Sequence, residues 1–203
     1  MILYVGTKHK SSWSLRPYMA LAHANLPFET RTIVLDRTDS RAQLAAVSPT
    51  GRVPVLHDGE LVIWDSLAIC EYAAERAPGL WPADRVQRAR ARAIACEMHS
   101  GFAALRQHMP MDLLAELPGV GHVPEALADA ARIKAIWSEA LAASGGPFLF
   151  GAFSIADAMF APVTTRFTTY GVAMDAEHRA YVAAVQAHPA FQRWKAEAIA
   201  ERA

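Results

Sequence analysis

The chain has 203 residues, of which 53% are hydrophobic, enough for one large or two small hydrophobic cores. Its 20 basic and 20 acidic residues balance to a formal net charge of zero, which argues against nucleic acid as the main partner, because phosphate binding requires an excess of Lys and Arg. No apolar stretch approaches the roughly 20 residues that span a membrane, and no secretory signal is visible. We therefore expect a cytoplasmic protein that binds neither nucleic acid nor membrane.

The first part of the chain alternates between strands and helices. Short apolar or β-branched runs predict four strands, at residues 2–5, 29–35, 52–57 and 60–64. Apolar residues at helical spacing predict three helices, at residues 16–24, 41–47 and 66–76. Asp58-Gly59, between the last two strands, is a strong hairpin signal. The order β-α-β-α-β-β-α is typical of a thioredoxin-like α/β domain, to which we assign residues 1–78.

The second part of the chain is helical in pattern. The segment 77–84 contains two prolines and a glycine and is typical of a linker. Beyond it, alanine is abundant, and helical spacing predicts five helices, at residues 85–109, 125–143, 155–169, 176–187 and 190–201. Ser154 and Asp157 have the spacing of a capping box, for which we expect a structural role. Residues 85–203 are therefore expected to form an all-helical domain.

Several kinds of reactive site are absent from the sequence. It contains no HExxH, GxxxxGK or GxSxG motif, and its eight histidines are scattered. Cys70 and Cys96 lie in helical runs with 25 residues between them, so we expect two reduced thiols. No metal site is expected.

The run Ser11-Ser12-Trp13-Ser14 stands between the first strand and the first helix. Serine is a favoured N-cap because its oxygen accepts a backbone N–H that the helix leaves unpaired, and on this motif alone capping is the simpler explanation. A helix N-terminus also carries partial positive charge, which stabilises an anion such as a thiolate. A serine hydroxyl there would add a hydrogen bond to the charged form.

Pro54 lies at the start of a predicted strand. Proline is tolerated at the edge of a strand, and this is the simpler explanation for it. In the alternative, a cis bond before Pro54 turns the backbone of Val53 outward. An extended peptide could then pair with the exposed N–H and C=O groups.

Asp65 and Ser66 place a carboxylate and a hydroxyl at the start of the third predicted helix. Both residue types cap helices, and capping explains at least part of their presence. The functional alternative is an amino-acid-like ligand. Its carboxylate would bind the Ser66 hydroxyl and the helix N–H groups, and its ammonium would bind Asp65.

These motifs, in this order, resemble those of the glutathione S-transferase superfamily. The segments that carry the resemblance are SSWSLRPYMAL, SPTGRVPVL, WDSLAICEYAAE and FSIADAMFAPV. The resemblance covers nearly the whole chain. It implies a thioredoxin-like α/β domain followed by an all-α domain, usually in a homodimer. It also implies a detoxifying transferase that uses glutathione as cosubstrate, without a further cofactor, to attack a small electrophile.

Within the superfamily, SSWSLR is similar to the SSCSWR of zeta-class enzymes, whose activities include maleylacetoacetate isomerisation. The similarity implies that Ser11 is the reactive serine, with Ser12 as the alternative. Trp13 stands where the zeta class has cysteine. Three alternatives to a transferase stay open: a glutathione-dependent isomerase, a glutathione peroxidase and a non-catalytic interaction protein with the same fold.

The resemblance also implies which residues contact the substrates. The expected glutathione contacts are Ser11, Arg52, Val53, Pro54, Asp65 and Ser66. Arg41 is a less well aligned alternative to Arg52 for the glycyl carboxylate. Candidates for the second-substrate pocket, chosen by position alone, are Trp13, Met109, Met111, Arg166 and Tyr170. Ordinary packing explains each of those five equally well.

Overall fold

The computed structural model describes residues 1–35 and 37–202 and begins with a four-stranded mixed sheet. The strands are β1 (Ile2–Gly6), β2 (Glu29–Ile33), β3 (Val55–Asp58) and β4 (Leu61–Trp64). Their order in the sheet is β2-β1-β3-β4, with β2 parallel to β1 and β3 antiparallel to both of its neighbours. The predicted α/β architecture and the hairpin between β3 and β4 are confirmed.

Three helices accompany the sheet, namely α1 (Ser12–His23), α2 (Ser40–Val47) and α3 (Ser66–Arg76). Helix α1 begins four residues before the predicted Arg16, because the carbonyl oxygen of Ser11 already accepts the N–H of Leu15. Ser12 and Ser14 therefore belong to the helix itself, and Ser11 is its N-cap residue. Strand β3 begins at Val55 rather than at residue 52, because Pro54 has no N–H to donate to a ladder.

The rest of the described chain is helical. Its helices are α4 (Arg85–Ser100), α5 (Ala103–His108), α6 (Pro124–Ser144), α7 (Ile155–Tyr170), α8 (Ala176–Ala187) and α9 (Pro189–Arg202). None of the helices described is both long and apolar enough to cross a membrane. The expected all-helical second part is confirmed.

The single helix expected over residues 85–109 is wrong, because the chain breaks it at Gly101-Phe102. Phe102 adopts the left-handed conformation, with φ 60° and ψ 45°. At Gly101, a Cβ atom would lie 2.7 Å from the carbonyl oxygen of Glu97, so glycine allows a close approach that a larger residue would block. The break turns α5 back over the end of α4, where Arg106 donates hydrogen bonds to the carbonyl oxygens of Met98, His99 and Gly101.

The hydrophobic core is continuous between the sheet side and the helical side. Helix α7 lies at its centre and is buried from Ile155 to Phe167, packing against both α1 and α4. The expected capping box is present at its start, since the Asp157 carboxylate accepts hydrogen bonds from Ser154 and from the N–H of Leu149. Because α7 supports α1 from behind, it fixes the position of the helix terminus that carries the serine run.

Candidate active site

A cavity of about 510 Å³ lies between the first turn of α1, the loop before β3 and the start of α3. Its lining comprises Trp13, Thr50, Arg52, Val53, Pro54, Trp64, Asp65 and Ser66. Five of the six expected glutathione contacts therefore meet at one surface. The sixth, Ser11, and its alternative Ser12 are buried and do not line this cavity. Arg41 is exposed on α2 and does not line it either.

Asp65 caps α3 and also reaches the helical part of the protein. Its Oδ1 accepts the N–H groups of Leu67 at 2.9 Å and Ala68 at 3.2 Å, while its Oδ2 lies 3.2 Å from Nε2 of His99. The backbone of Asp65 has φ 74° and ψ 134°, a conformation that is rare outside glycine and occurs where the surroundings impose it. The capping explanation is correct for Asp65, and the unusual backbone indicates an additional constraint on its position.

Ser66 differs from Asp65, because its hydroxyl takes no part in capping. The side chain is 1% exposed, and its Oγ has no hydrogen-bond partner among the residues that the structure describes. A buried hydroxyl without a partner is unfavourable, so such groups are uncommon unless a ligand satisfies them. Ser66 is the first residue of α3, and the partial positive charge at a helix N-terminus makes this a position suited to a carboxylate.

Val53 and Arg52 form the opposite side of the cavity. The peptide bond between Val53 and Pro54 is cis, as in the second of the two alternatives considered for this segment. Val53 lies before the first paired residue of β3, so its peptide groups are outside the ladder. Ser48 holds the loop, since its Oγ donates to the carbonyl oxygen of Arg52 and accepts the Arg52 N–H. The side chain of Arg52 is left exposed at the cavity.

Ser11 occupies the N-cap position of α1, but its side chain does not cap the helix. Its hydroxyl donates instead to Oγ of Ser14, at 2.7 Å, and Ser14 Oγ also accepts the N–H of Gly6 at 3.2 Å. A Cβ atom on Gly6 would lie 3.0 Å from Ser11 Oγ, so the absence of a side chain there makes room for the serine. The simpler explanation of the motif, side-chain capping by Ser11, is therefore wrong.

Of the five second-substrate candidates, Trp13 lines this cavity and the other four do not. Met109 and Met111 are buried, Arg166 Nε donates to the carbonyl oxygen of Met109, and the Tyr170 hydroxyl donates to that of Pro110. These contacts fasten the segment after α5 to α7. Packing therefore accounts for Met109, Met111 and Tyr170, whereas Arg166 keeps one donor without a partner among the described residues.

Trp13 is surrounded by three residues that the sequence did not single out as site residues. The guanidinium carbons of Arg16 and Arg106 lie 4.3 Å and 4.8 Å from the centroid of its ring, and the His99 ring packs edge-on at 5.3 Å. Arg16 belongs to the SSWSLR segment, but nothing in the sequence indicated a role of its own for it. His99 and Arg106 lay in what looked like one continuous helix, so no local signal pointed to them.

Burial sets the charge state of these groups. It lowers the pKa of Arg16 well below its usual value, and the charges of Arg106 and Arg166 lower that pKa further. Burial also lowers the pKa of Arg166, to about 9, which leaves this guanidinium charged at neutral pH. For His99, burial lowers the pKa and the carboxylate of Asp65 opposes the shift. At neutral pH the neutral His99 ring therefore donates a hydrogen bond from Nε2 to the Asp65 carboxylate.

The fold and this site define a class of protein, and comparison with known families identifies it. The N-terminal domain of glutathione S-transferase matches residues 10–76, and the C-terminal domain of glutathione S-transferase matches residues 84–195. The chain belongs to the glutathione S-transferase family.

Individual relatives agree with this assignment. A probable maleylacetoacetate isomerase from Caenorhabditis elegans is 35% identical over 115 residues, which are 56% of this chain and 53% of that protein. The match thus spans about half the length of that relative. A glutathione transferase homologue from Burkholderia, solved with bound glutathione, has a TM-score of 0.75 and 26% identity, with 97% of each chain covered.

A second solved structure shares the fold. It is a bacterial maleyl pyruvate isomerase, described as a zeta-class glutathione S-transferase. Its TM-score is 0.73 at 23% identity, and the superposition covers 96% of each chain.

Proposed function

We propose that this protein binds glutathione in the cavity beside α3, stabilises its thiolate at the N-terminus of α1, and transfers the sulfur to a small electrophile. The observation that carries the proposal is the buried hydroxyl of Ser66, which has no hydrogen-bond partner among the described residues, on the wall of a cavity that Asp65 and Val53 also line. The γ-glutamyl end of glutathione carries a carboxylate and an ammonium on one carbon, which match Ser66 and Asp65. The extended peptide that follows matches the backbone of Val53.

The proposed pose assigns each part of glutathione to one wall of the cavity. The γ-glutamyl carboxylate accepts a hydrogen bond from the Ser66 hydroxyl at the positive end of α3, and its ammonium lies at Oδ2 of Asp65. The cysteinyl backbone pairs with Val53 as an added strand would. The glycyl carboxylate lies near Arg52, whose exposed side chain can reach it.

Thiolate stabilisation needs no separate base. Lowering a thiol pKa from about 8.5 to about 6.5 requires roughly 2.7 kcal/mol of preferential binding to the charged form. A hydrogen bond to a charged group contributes about 1.5–3 kcal/mol, and a helix N-terminus about 0.3–1 kcal/mol. Ser11 and α1 together are therefore sufficient. The thiolate sulfur then bonds to the electrophilic carbon, and the leaving group departs with the bonding electron pair.

An isomerase of the maleylacetoacetate type is the second candidate function. It is supported by the similarity to the Caenorhabditis elegans relative and by the positive charge of Arg16 and Arg106 beside the cavity. In that reaction glutathione would add and leave again without net transfer. A glutathione peroxidase and a non-catalytic binding protein remain alternatives.

Binding and turnover separate these functions. Calorimetry should detect glutathione binding in the range of about 1 μM to 1 mM that is usual for enzyme substrates. A panel of aryl halides, maleylacetone and hydroperoxides, each assayed with and without glutathione, then identifies the reaction. Absence of binding at 10 mM glutathione would refute all the glutathione-dependent functions, whereas binding without turnover of any compound would favour the non-catalytic alternative.

We propose a homodimer and a role in detoxification from the family resemblance alone. A cytoplasmic location is supported by the two cysteines, Cys70 and Cys96, both of which are free thiols.

A further inference from the structure

The loop of residues 7–10 connects β1 to the start of α1 and leads directly to Ser11. It is closed at its base, because the carbonyl oxygen of Thr7 accepts the N–H groups of Lys10 at 3.0 Å and Ser11 at 2.9 Å. The peptide groups of Lys8 take no part in these two bonds and have partners elsewhere in the chain. The position of Ser11 therefore depends on what holds the middle of this loop.

Helix α9 binds both peptide groups of Lys8. Oε2 of Glu201 accepts the Lys8 N–H at 2.8 Å, and Nε1 of Trp194 donates to the Lys8 carbonyl oxygen at 3.0 Å. The two residues are 193 and 186 positions away from Lys8 in the sequence. Trp194 is fully buried, so the core fixes its position. The loop is thus held from the far end of the helical part of the protein.

The side chain of Lys8 forms an ion pair at the same place. Its Nζ lies 2.6 Å from Oε1 of Glu201 and 2.9 Å from Oγ1 of Thr32, and the Thr32 hydroxyl donates to the same carboxylate oxygen at 2.7 Å. The Lys8 side chain is only 6% exposed. Burial by itself would raise the pKa of Glu201, but the hydrogen bonds from Lys8 and Thr32 hold that pKa below its usual value. Glu201 is therefore a carboxylate at neutral pH.

We propose that Glu201, together with Trp194, is a positioning residue that holds the loop before Ser11 so that the serine hydroxyl can donate to the glutathione thiolate. The inference rests on the proposed function, in which Ser11 stabilises the thiolate. An ion pair removed from water adds little net stability, because the cost of desolvation offsets the attraction. What this pair contributes is a fixed geometry, and a hydrogen bond weakens steeply when its donor is misaligned.

The first experiment measures the pKa of the thiol of bound glutathione in Glu201→Ala. This pKa should rise by about 0.5–1 unit, which is less than in Ser11→Ala, because the serine is displaced and not removed. Glutathione affinity should hardly change, since the proposed contacts of the peptide lie at β3 and α3. Turnover lost near pH 6.5 should return at about pH 9, where the thiol ionises without help. Glu201→Gln keeps an oxygen that can accept the Lys8 N–H and should restore most of the wild-type thiol pKa.

The matched control is Glu197→Ala. Glu197 lies on the same helix, 3.5 Å from Nζ of Lys8, but it accepts no backbone N–H of the loop within the described chain. The control should keep the wild-type thiol pKa. An equal rise in Glu197→Ala and Glu201→Ala would mean that the charge near Lys8 matters and the hold on the loop does not, which overturns the proposal. An unchanged thiol pKa in Glu201→Ala overturns it as well.

A double-variant cycle tests whether the effect of Glu201 passes through Ser11. In a Ser11→Ala background, Glu201→Ala should cause no further rise in the thiol pKa, because the donor that it positions is already missing. An equal rise in both backgrounds would show that Glu201 acts on the thiolate by another route, and the positioning role would be refuted. If Ser11→Ala alone leaves the thiol pKa unchanged, it is the serine mechanism of the proposed function that fails.

Hydrogen exchange in the absence of glutathione tests the hold on the loop separately from the proposed function. The Ser11 amide, which is bonded to Thr7, should exchange at least about tenfold faster in Glu201→Ala than in the wild type, and Glu197→Ala should exchange at the wild-type rate. Circular dichroism checks that both variants are folded. Faster exchange in a protein that does not bind glutathione would refute the proposed function and keep the positioning of Ser11 by α9. Unchanged exchange in Glu201→Ala would refute that positioning.

Discussion

The hydroxyl of Ser11 donates a hydrogen bond to Oγ of Ser14, with 2.7 Å between the two oxygens. Ser14 is itself anchored to the sheet, because its Oγ accepts the N–H of Gly6 at the end of β1. Hydroxyl hydrogens rotate to suit their partners. If Ser14 becomes the donor of the pair, the hydrogen of Ser11 is released for a thiolate while both oxygens stay in place.

Ser11→Ala should therefore raise the pKa of the bound glutathione thiol by about 1.5 units, which corresponds to a loss of roughly 2 kcal/mol. Turnover near pH 6.5 should fall by more than about tenfold and return largely at pH 9, where the thiol ionises without help. Glutathione affinity should change little. The measurement is thiolate absorbance against pH in alanine variants of Ser11, Ser12 and Ser14. A raised thiol pKa in the Ser12 variant alone would show that Ser12, and not Ser11, stabilises the thiolate. An unchanged thiol pKa in all three variants would refute the serine mechanism.

Ser66→Ala should weaken glutathione binding by about 1–3 kcal/mol, because a carboxylate loses its hydroxyl donor. The free energy of unfolding should hardly change, since Ser66 Oγ has no partner within the described residues. Asp65→Ala is the matched contrast. It removes the cap on Leu67 and Ala68 and should lower the free energy of unfolding by about 0.5–2 kcal/mol. Calorimetry measures glutathione binding by both variants, and urea denaturation measures their stability. A Ser66→Ala protein that is destabilised yet binds glutathione normally would show that the role of Ser66 is structural.

Asp157→Ala should be among the more destabilising substitutions, at about 2 kcal/mol or more, because it leaves buried donors of Leu149 and Ser154 without an acceptor. Burial raises the pKa of Asp157 to about 6, and the hydrogen bonds that it accepts oppose that shift. The control is Asp84→Ala, which removes an exposed N-cap from α4 and should lower stability by about 1 kcal/mol. If urea denaturation shows the same loss of unfolding free energy in both variants, the capping box of α7 has no special importance for stability.

Stability should fall between pH 6.5 and pH 4 because of His188. Burial first, and then the charges of His23 and Arg193, lower the pKa of His188 to about 4, whereas an unfolded histidine titrates near 6.5. Above pH 6.5 the ring is neutral in both states and carries no penalty. As the pH falls below 6.5, the unfolded state takes up a proton that the folded state resists, so stability decreases and levels off below pH 4.

The variant His188→Asn isolates this effect. His188 Nδ1 accepts the N–H of Ala190, so its Nε2 carries the hydrogen that lies against Nδ1 of His23, 3.0 Å away. Asparagine keeps an acceptor for Ala190 but does not titrate. Tm measured from pH 7.5 to 4.5 should therefore decline less steeply in the variant than in the wild type. Parallel curves would show that other groups control the acid sensitivity.

The oligomeric state is a separate prediction that follows from the family resemblance. Light scattering at micromolar concentration should give twice the mass of the chain. A monomer under these conditions would contradict the homodimer and would leave the arguments on the active site unchanged, because every residue invoked there comes from one chain.

Local patterns in the sequence were sufficient for most of the fold. The β-branched runs, the Asp58-Gly59 turn and the apolar spacing of α3 all reflect preferences that act within a few residues. The boundary between residues 1–78 and 85–203 as separate domains stays a prediction. The continuous helix expected over 85–109 was wrong, because Phe102 adopts a left-handed backbone that a residue other than glycine rarely adopts and that its sequence does not predict.

For the candidate site, the family resemblance of the sequence predicted which segments share a ligand, and the start of α1, the loop before β3 and the start of α3 do line one cavity. The tertiary structure decided what each side chain does there. Asp65 caps α3, whereas the Ser66 hydroxyl has no partner in the part of the chain that the structure describes. The Ser11 hydroxyl donates to Ser14, and Arg16 and Arg106 pack against Trp13. These relationships join residues far apart in the chain and depend on how helices pack, which short-range spacing does not encode.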